Sequence, residues 1–186
     1  MKIATWNVNS LKVRFPHVVD WLKKNTPDVL CLQETKQTND MFPHENFKSL
    51  GWHSYHNGQK TYNGVAIISK KPLFDISSNI PNYDDIQKRV ITGTFQDNQN
   101  RNIKIISAYI PNGQSLNSEK FIYKKLWLDS LYKWLIDLHK EYNHIVLTGD
   151  FNIAPENIDC HDPTVWEGKN LVSDIERQYF SEIISS

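Results

Sequence analysis

The sequence predicts an α/β fold, and two observations lead to that prediction. The chain opens with a strand, a helix and a strand, at Lys2–Trp6, Arg14–Lys24 and Asp28–Leu32. A long amphipathic segment, Ser118–Tyr142, is followed by a short apolar run at Ile145–Leu147. Segments with the spacing of strands and of helices therefore alternate along the chain, which is typical of strands layered against helices.

Two β-hairpins are predicted in the middle of the chain. The strands of the first are Trp52–His56 and Gly64–Ser69, joined through Asn57–Lys60. The strands of the second are Lys88–Phe95 and Asn102–Ala108, and an Asp-Asn-Gln-Asn turn joins them. The segment Asn57–Lys60 is either a plain hairpin connection or a loop that touches a substrate.

Two further helices are predicted in the second half of the chain. The first, Ser118–Tyr142, has an apolar stripe at helical spacing, which indicates a core-facing helix. The stripe consists of Phe121, Trp127, Leu128, Leu131, Trp134, Leu135 and Leu138. The second, Ser173–Ile184, begins with a Ser-x-x-Glu capping box formed by Ser173 and Glu176. Its predicted apolar face consists of Ile175, Tyr179, Phe180, Ile183 and Ile184.

The composition indicates a folded chain without net charge. Of the 186 residues, 39% are hydrophobic and 12% are aromatic, which is enough for one domain with a sizeable core. Lys and Arg number 21, and Asp and Glu also number 21, so a DNA-binding surface has to be local. Lys36, Lys60, Lys88 and Arg89 lie near the predicted loops, and they are either such a surface or ordinary surface charges.

Cysteine usage and hydropathy favour a cytoplasmic location. Cys31 and Cys160 are too few for a disulfide framework, and Cys31 is predicted to be a buried strand residue. The sequence has no apolar run long enough to span a membrane, and Met1–Ile3 opens a strand rather than a signal peptide. The histidines lack the spacing of a zinc site.

Polar side chains follow four of the predicted strands. Asn7 follows the first strand and Glu34 the second, while Tyr109 ends the second hairpin. Asp150 and Asn152 follow the last apolar run, which Gly149 is expected to end. In layered α/β folds such groups converge on one crevice, where a carboxylate and carboxamides suit chemistry on a phosphate. Asp and Asn are also common turn residues, so a plain turn is the alternative.

Three of these residues have structural as well as functional interpretations. Glu34 is either a Mg²⁺ ligand or a solvated loop acid, since Mg²⁺ often takes only one or two protein carboxylates. Tyr109 either donates its phenol proton to a phosphate or packs on the core. Asn7 either orients Asp150 or a metal-bound water, or caps the helix that begins near Leu11. Residue type and position leave these alternatives open.

Six ordered strings resemble the exonuclease III family of apurinic/apyrimidinic endonucleases, within the endonuclease/exonuclease/phosphatase superfamily. The strings are Thr5–Leu11, Pro27–Lys36, Asn63–Ile67, Arg89–Ile91, Tyr109–Gly113 and Gly149–Ala154. The resemblance extends from Met1 to about Ile184. It implies a DNase I-like α/β sandwich of two β-sheets flanked by helices. This fold would form a single domain over residues 1–186 that is incomplete at its C-terminus.

The resemblance also implies an activity and a set of residue roles. The activity is Mg²⁺-dependent hydrolysis of phosphodiesters in double-stranded DNA, at abasic sites and 3′ ends, by a monomer, with Mn²⁺ as the alternative metal. Glu34 would bind the metal with support from Asn7, and Asp150 would orient or deprotonate the attacking water. Asn152 and Tyr109 would hold the scissile phosphate. The positions implied to bind substrate are Asn112, Lys36 and Arg89.

The last third of the family pattern has no counterpart in this sequence. By resemblance that part carries a Ser-Asp-His motif, which supplies a His–Asp pair and a further metal-side carboxylate. Here Ser173 and Asp174 are followed by Ile175. We therefore expect this chain alone to be impaired. Two alternatives stay open: a non-catalytic chain that binds DNA or a partner, and a superfamily phosphatase or phosphodiesterase acting on a non-DNA substrate.

Overall fold

Four strands form a first mixed β-sheet. The computed structural model describes residues 1–185. The strands are β1 (Ile3–Asn7), β2 (Val29–Gln33), β3 (His53–Asn57) and β4 (Val65–Ser69), in the spatial order β1-β2-β4-β3. β1 and β2 are parallel, whereas β4 is antiparallel to both β2 and β3. All five residues of β2 and of β4 are buried, as expected for central strands.

A second mixed sheet contains the other four strands of the described residues. They are β5 (Phe74–Ser78), β6 (Val90–Gln96), β7 (Asn102–Tyr109) and β8 (Ile145–Asp150), in chain order across the sheet. β5, β6 and β7 pair antiparallel, whereas β7 and β8 are parallel. A parallel neighbour needs a crossover connection, and the chain between β7 and β8 contains the longest helix.

Five α-helices complete the described structure, and the chain divides into two compact units. The helices are α1 (Leu11–Asn25), α2 (His44–Ser49), α3 (Glu119–Glu141), α4 (Pro163–Trp166) and α5 (Asp174–Ser185). The first unit contains residues 1–109 and 142–150, and thus both sheets with α1 and α2. The second unit contains residues 110–141 and those from 151 onward, and thus α3, α4 and α5. No helix within residues 1–185 combines the length and the apolar character needed to cross a membrane.

The core of the first unit has two layers, one on each face of the first sheet. Side chains of alternate residues enter opposite layers because the side chains of a strand alternate between its two faces. The layer between the sheets is formed by Val29, Cys31, Val65, Ile67, Leu73, Ile91, Phe95, Ile103 and Ile105. The other layer packs under α1 and α2 and contains Val8, Leu11, Val18, Leu22, Leu30, Leu32, Phe42, Phe47, Trp52, Ala66 and Ile68.

The predicted strands and long helices are all present, with three differences. β5, α2 and α4 were not predicted, because they are short elements of five, six and four residues. β8 was expected to end before Gly149, but it continues through this glycine to Asp150. The apolar face predicted for α5 is wrong in part, since Ile175 and Ile184 are exposed while Glu176 is buried.

Candidate active site

Three polar residues at strand ends are joined by one carboxamide in the first unit. Asn7 ends β1, Asp150 ends β8, and Glu34 follows β2. Asn7 Nδ2 donates hydrogen bonds to Glu34 Oε1 and to Asp150 Oδ2, each at 2.8 Å. Asn7 Oδ1 accepts from the Asn9 backbone N–H at 3.0 Å, which fixes the orientation of the amide. Residues far apart in sequence are thus brought together as the strand-end argument predicted.

The pairing of β7 and β8 explains why a glycine precedes Asp150. Gly149 lies opposite Ala108 in the ladder, and Asp150 lies opposite Tyr109. A Cβ atom at Gly149 would lie 1.9 Å from the Ala108 carbonyl oxygen, and the φ angle of Gly149 is +152°. Only glycine fits such a close approach of two backbones without distortion. Gly149 therefore continues the strand that delivers Asp150.

The carboxylate of Glu34 is held in its ionised form. Lys36 Nζ lies 3.0 Å from Glu34 Oε2, and it also donates to Asn9 Oδ1 at 2.5 Å. Burial by itself would raise the pKa of Glu34, but hydrogen bonds from Asn7, Lys36 and Tyr109 outweigh it and lower the pKa below its usual value. Glu34 is therefore an anionic oxygen donor at neutral pH, as a metal ligand has to be.

Tyr109 lies beside this carboxylate with its phenol protonated. Burial raises the pKa of Tyr109, and the negative charge of Glu34, which accepts a hydrogen bond from the phenol, raises it further. The Arg89 guanidinium lies 4.9 Å from the centre of the Tyr109 ring, and its Nη1 donates to the Tyr109 carbonyl at 3.0 Å. Tyr109 therefore remains a hydrogen-bond donor at all physiological pH values.

Arg89 is buried and bonded within the protein. Its Nε and Nη2 both donate to Gln87 Oε1, at 3.1 and 2.8 Å. Gln87 also accepts from Asn63 Nδ2 at 3.1 Å. In this structure Arg89 therefore supports Tyr109, and its predicted contact with substrate stays a prediction.

The two carboxamides predicted to contact phosphate lie together in the second unit. Asn112 Nδ2 donates to Asn152 Oδ1 at 3.1 Å, and Asn152 Nδ2 donates to the Ile110 carbonyl at 2.9 Å. Asn170 Nδ2 in turn donates to the carbonyl and to Oδ1 of Asn112, at 2.9 and 3.2 Å. Asn152 has φ +48°, a left-handed conformation that asparagine adopts more readily than most residues.

A buried lysine connects these carboxamide residues to α5, and the sequence reasoning missed its role. Lys124 Nζ donates to the carbonyls of Asn112 and Asn152 and to Glu176 Oε1. Lys124 lies three residues after Phe121 and four before Leu128, so it falls on the apolar stripe of α3. A charged residue on a core-facing stripe is the signal that could have identified it.

The oxygen donors of the first unit suit a small, hard cation. No cluster of three or more His, Cys, Asp or Glu side chains that could hold a metal occurs within residues 1–185. Mg²⁺ does not require one, because it keeps several waters and binds through one or two carboxylates. Glu34 has that chemistry, whereas Asn7 turns its amide nitrogen to Glu34 and its amide oxygen to the Asn9 backbone N–H.

Sequence comparison identifies the family. The pattern of the Endonuclease/Exonuclease/phosphatase family matches residues 4–179. The chain belongs to this family. An exodeoxyribonuclease III from Haemophilus influenzae is 35% identical over 162 residues, which are 86% of this chain and 60% of that relative. The chain thus spans less than two thirds of the length of this curated relative.

Two solved structures have the same fold as this chain. A 3′ phosphatase from Neisseria, bound to a product DNA hairpin, is 44% identical with a TM-score of 0.95. An AP endonuclease from Archaeoglobus fulgidus is 36% identical with a TM-score of 0.89. Each match covers 100% of this chain and 70% of the other. The DNase I-like fold with two mixed sheets flanked by helices, predicted from the sequence, is therefore confirmed.

Proposed function

We propose that the chain is a DNA-repair nuclease of the exodeoxyribonuclease III type, which hydrolyses phosphodiesters of double-stranded DNA at abasic sites and 3′ ends. The observation that carries this proposal is the single carboxamide of Asn7 that joins the carboxylates of Glu34 and Asp150 at 2.8 Å each. The relatives named as an exodeoxyribonuclease III and an AP endonuclease support the substrate class.

The residues of the first unit have complementary roles in this proposal. The Asp150 carboxylate accepts a proton from the attacking water, and the hydrogen bond from Asn7 holds it in one orientation. The phenol of Tyr109 donates a hydrogen bond to a phosphate oxygen on which charge develops. Lys36 carries a positive charge next to Glu34 and balances the charges of carboxylate and phosphate. Arg89 keeps the Tyr109 ring in place.

The carboxamides of the second unit supply neutral donors. Asn152 would hydrogen-bond the scissile phosphate, and Asn112 would contact the DNA backbone. Backbone contacts of this kind fix the register of a protein on DNA without reading its sequence. The mutual hydrogen bond of the two side chains at 3.1 Å holds both in defined rotamers before substrate arrives.

The proposed cofactor is Mg²⁺, with Mn²⁺ as the alternative. Glu34 would hold it, because the lowered pKa of Glu34 keeps an anionic oxygen available. Asn7 would support the metal by orienting Glu34 through its amide nitrogen. When bound, such a cation neutralises charge on phosphate and leaving oxygens. Proton transfer and the binding of the phosphate are assigned to the residues of the chain itself.

A phosphatase reaction is the second candidate function. The solved Neisseria relative is a 3′ phosphatase bound to a product DNA hairpin, and it is 44% identical over the whole of this chain. A terminal phosphate and a diester both present non-bridging oxygens that accept hydrogen bonds, so the residues above serve either substrate.

Cleavage of a duplex with one abasic site, with Mg²⁺ and with chelator, tests the proposal. We expect Mg²⁺-dependent cleavage that Asp150→Asn lowers by about 10²- to 10⁴-fold, since the amide cannot accept the proton. Asp20→Asn is the matched control, because Asp20 is an exposed carboxylate paired with Lys24 on α1. A folded Asp150→Asn variant that cuts at the wild-type rate would remove Asp150 from the mechanism. A 3′-phosphorylated duplex, assayed in parallel, separates the phosphatase reaction.

The same proposal extends to the organisation of the protein. We propose a single catalytic domain that acts as a monomer in the cytoplasm. The two cysteines of the sequence support the cytoplasmic location, and the whole assignment stays a prediction.

A further inference from the structure

The ammonium group of Lys124 lies inside the second unit, shielded from solvent. The side chains of Lys124 and Glu176 are 0% and 1% exposed, and Lys124 Nζ lies 2.5 Å from Glu176 Oε1. Nζ also donates to the carbonyl of Asn152 at 2.6 Å and to that of Asn112 at 3.2 Å. Burying a charge of this kind is costly unless it is paired and hydrogen-bonded, as it is here.

Two of these acceptors belong to the residues whose carboxamides are proposed to contact phosphate. The backbone at Asn152 has φ +48°, and the side chain of Asn152 accepts from Asn112. One ammonium therefore fixes the main chain at both asparagines, and the side chains are linked to each other. A displacement of either carbonyl would move a carboxamide directly.

Core packing alone does not account for a lysine at this position. Lys124 is the one charged residue among the eight that are buried on α3. An apolar residue would fill the same stripe without the cost of a buried ion pair. Glu176 is held on its other oxygen by the hydroxyl and backbone N–H of Ser173, at 2.6 and 3.2 Å. The start of α5 is thereby connected to the two asparagines.

We infer that Lys124 and Glu176 are positioning residues that hold the carboxamides of Asn112 and Asn152 in the orientation required for binding phosphate. The binding of phosphate by these carboxamides rests on the proposed function. The orientation of the carboxamides can be measured without substrate. The pair acts through hydrogen bonds to the main chain, and neither residue is assigned a contact with the reacting atoms.

The test is the double variant Lys124→Met with Glu176→Met, which removes both charges and keeps similar volume. Its matched control is Lys104→Met, which removes another buried lysine, one paired with Asp75 at 2.7 Å in the first unit. Side-chain amide signals of Asn112 and Asn152 in ¹H–¹⁵N NMR spectra of the full chain report the orientation directly. Steady-state cleavage of the abasic duplex reports its consequence.

We expect the double variant to fold cooperatively but to shift or broaden both carboxamide signals. We expect kcat to fall by roughly 10- to 100-fold, with a smaller change in KM, because a misplaced phosphate ligand costs transition-state binding. Lys104→Met is expected to leave the signals and kcat unchanged. Unchanged carboxamide signals in the folded double variant would overturn the inference.

A second variant covers the case in which the double variant does not fold. Glu176→Gln keeps the shape of the side chain and removes its charge. Glu176→Gln is expected to shift the same two amide signals and to lower kcat by a smaller factor than the double variant does. Unchanged amide signals in Glu176→Gln would contradict the inference. If the wild-type chain itself does not cut DNA, the proposed function fails, whereas the amide signals still decide whether the pair positions these residues.

Discussion

Single side chains in this molecule connect elements that the sequence separates widely. Asn7 is the strongest case, because its amide hydrogens bind two carboxylates from two different sheets. A carboxamide suits this position because it donates two hydrogen bonds without adding charge. An aspartate there would add a third carboxylate, and an alanine would leave the other two without a shared donor.

His56 is expected to make the stability of the protein depend on pH. Burial, together with electrostatic repulsion from His44, lowers the pKa of His56 to about 3. Its ring stacks on Phe42 with centroids 4.1 Å apart, and Nδ1 is buried with no hydrogen-bond partner in the structure. The folded state therefore keeps this imidazole neutral, whereas the unfolded chain takes up a proton near pH 6.5.

The sign of this pH effect follows from proton uptake by the unfolded state. Below pH 6.5 the unfolded chain binds more protons, so stability falls as pH falls from 6.5 towards 3. We expect His56 to account for a loss of about 2 kcal/mol in the free energy of unfolding between pH 7 and pH 5. Urea unfolding at pH 5, 6 and 7 measures it.

A variant pair isolates the contribution of His56. His56→Gln is expected to flatten the pH dependence by the same amount, whereas His53→Gln, on the exposed side of the same strand, is expected to leave it unchanged. An equally steep pH dependence in His56→Gln would show that other groups are responsible.

At the level of elements, the pairing of β7 with β8 depends on one glycine. Gly149→Ala would place a Cβ atom 1.9 Å from the Ala108 carbonyl oxygen. We expect destabilisation of at least about 3 kcal/mol, because the two strands have to separate locally. Urea denaturation followed by circular dichroism measures the change.

Gly51→Ala is the control for the steric part of this effect. Gly51 has φ +81°, but no atom lies within 4 Å of the position of its Cβ, so its replacement costs conformational energy alone, about 1–2 kcal/mol. If both variants were equally stable, the close approach of β7 and β8 would not be the cause.

The elements also show what a sequence can predict. β1, β2, β7 and β8 were found because each is an apolar run that ends in a polar turn. Asn7, Glu34 and Asp150 converge because the carboxyl ends of β1, β2 and β8 lie close together, although β8 belongs to the other sheet. β5 was missed because it is only five residues long and contains just two apolar residues, Phe74 and Ile76, which is too short a pattern to identify a strand.

The burial of Glu176 could not be predicted for a different reason. Its partner, Lys124, lies 52 residues away in sequence, and no local pattern reports a pairing over that distance. Within its own helix, Glu176 also caps the start of α5, because it accepts a hydrogen bond from the backbone N–H of Ser173. The tertiary contact overrides the preference of a carboxylate for solvent.

The protein as a whole has no net charge. We therefore expect an ion that binds at a specific site to change the stability more than a change in ionic strength does. We expect Mg²⁺ at ten times its dissociation constant to raise the free energy of unfolding by about 1.4 kcal/mol, because it binds only the folded chain. Thermal unfolding with Mg²⁺, and with NaCl of the same ionic strength, measures this gain.

Glu34→Gln is expected to abolish the stabilisation by Mg²⁺. Glu45→Gln is the control, since Glu45 is 86% exposed and belongs to α2. If Mg²⁺ stabilised Glu34→Gln as much as the wild type, the metal would bind elsewhere.

The contact between Asn7 and Asp150 has a consequence for the synthesis of the protein. The two residues are 143 positions apart, so the first strand leaves the ribosome long before its partner exists. At roughly 5–20 residues per second, the wait is about 7 to 30 seconds. During that interval β1 can pair with β2, but the second carboxylate is still missing. The nascent chain can therefore assemble most of its first sheet before Asp150 is available to bind Asn7.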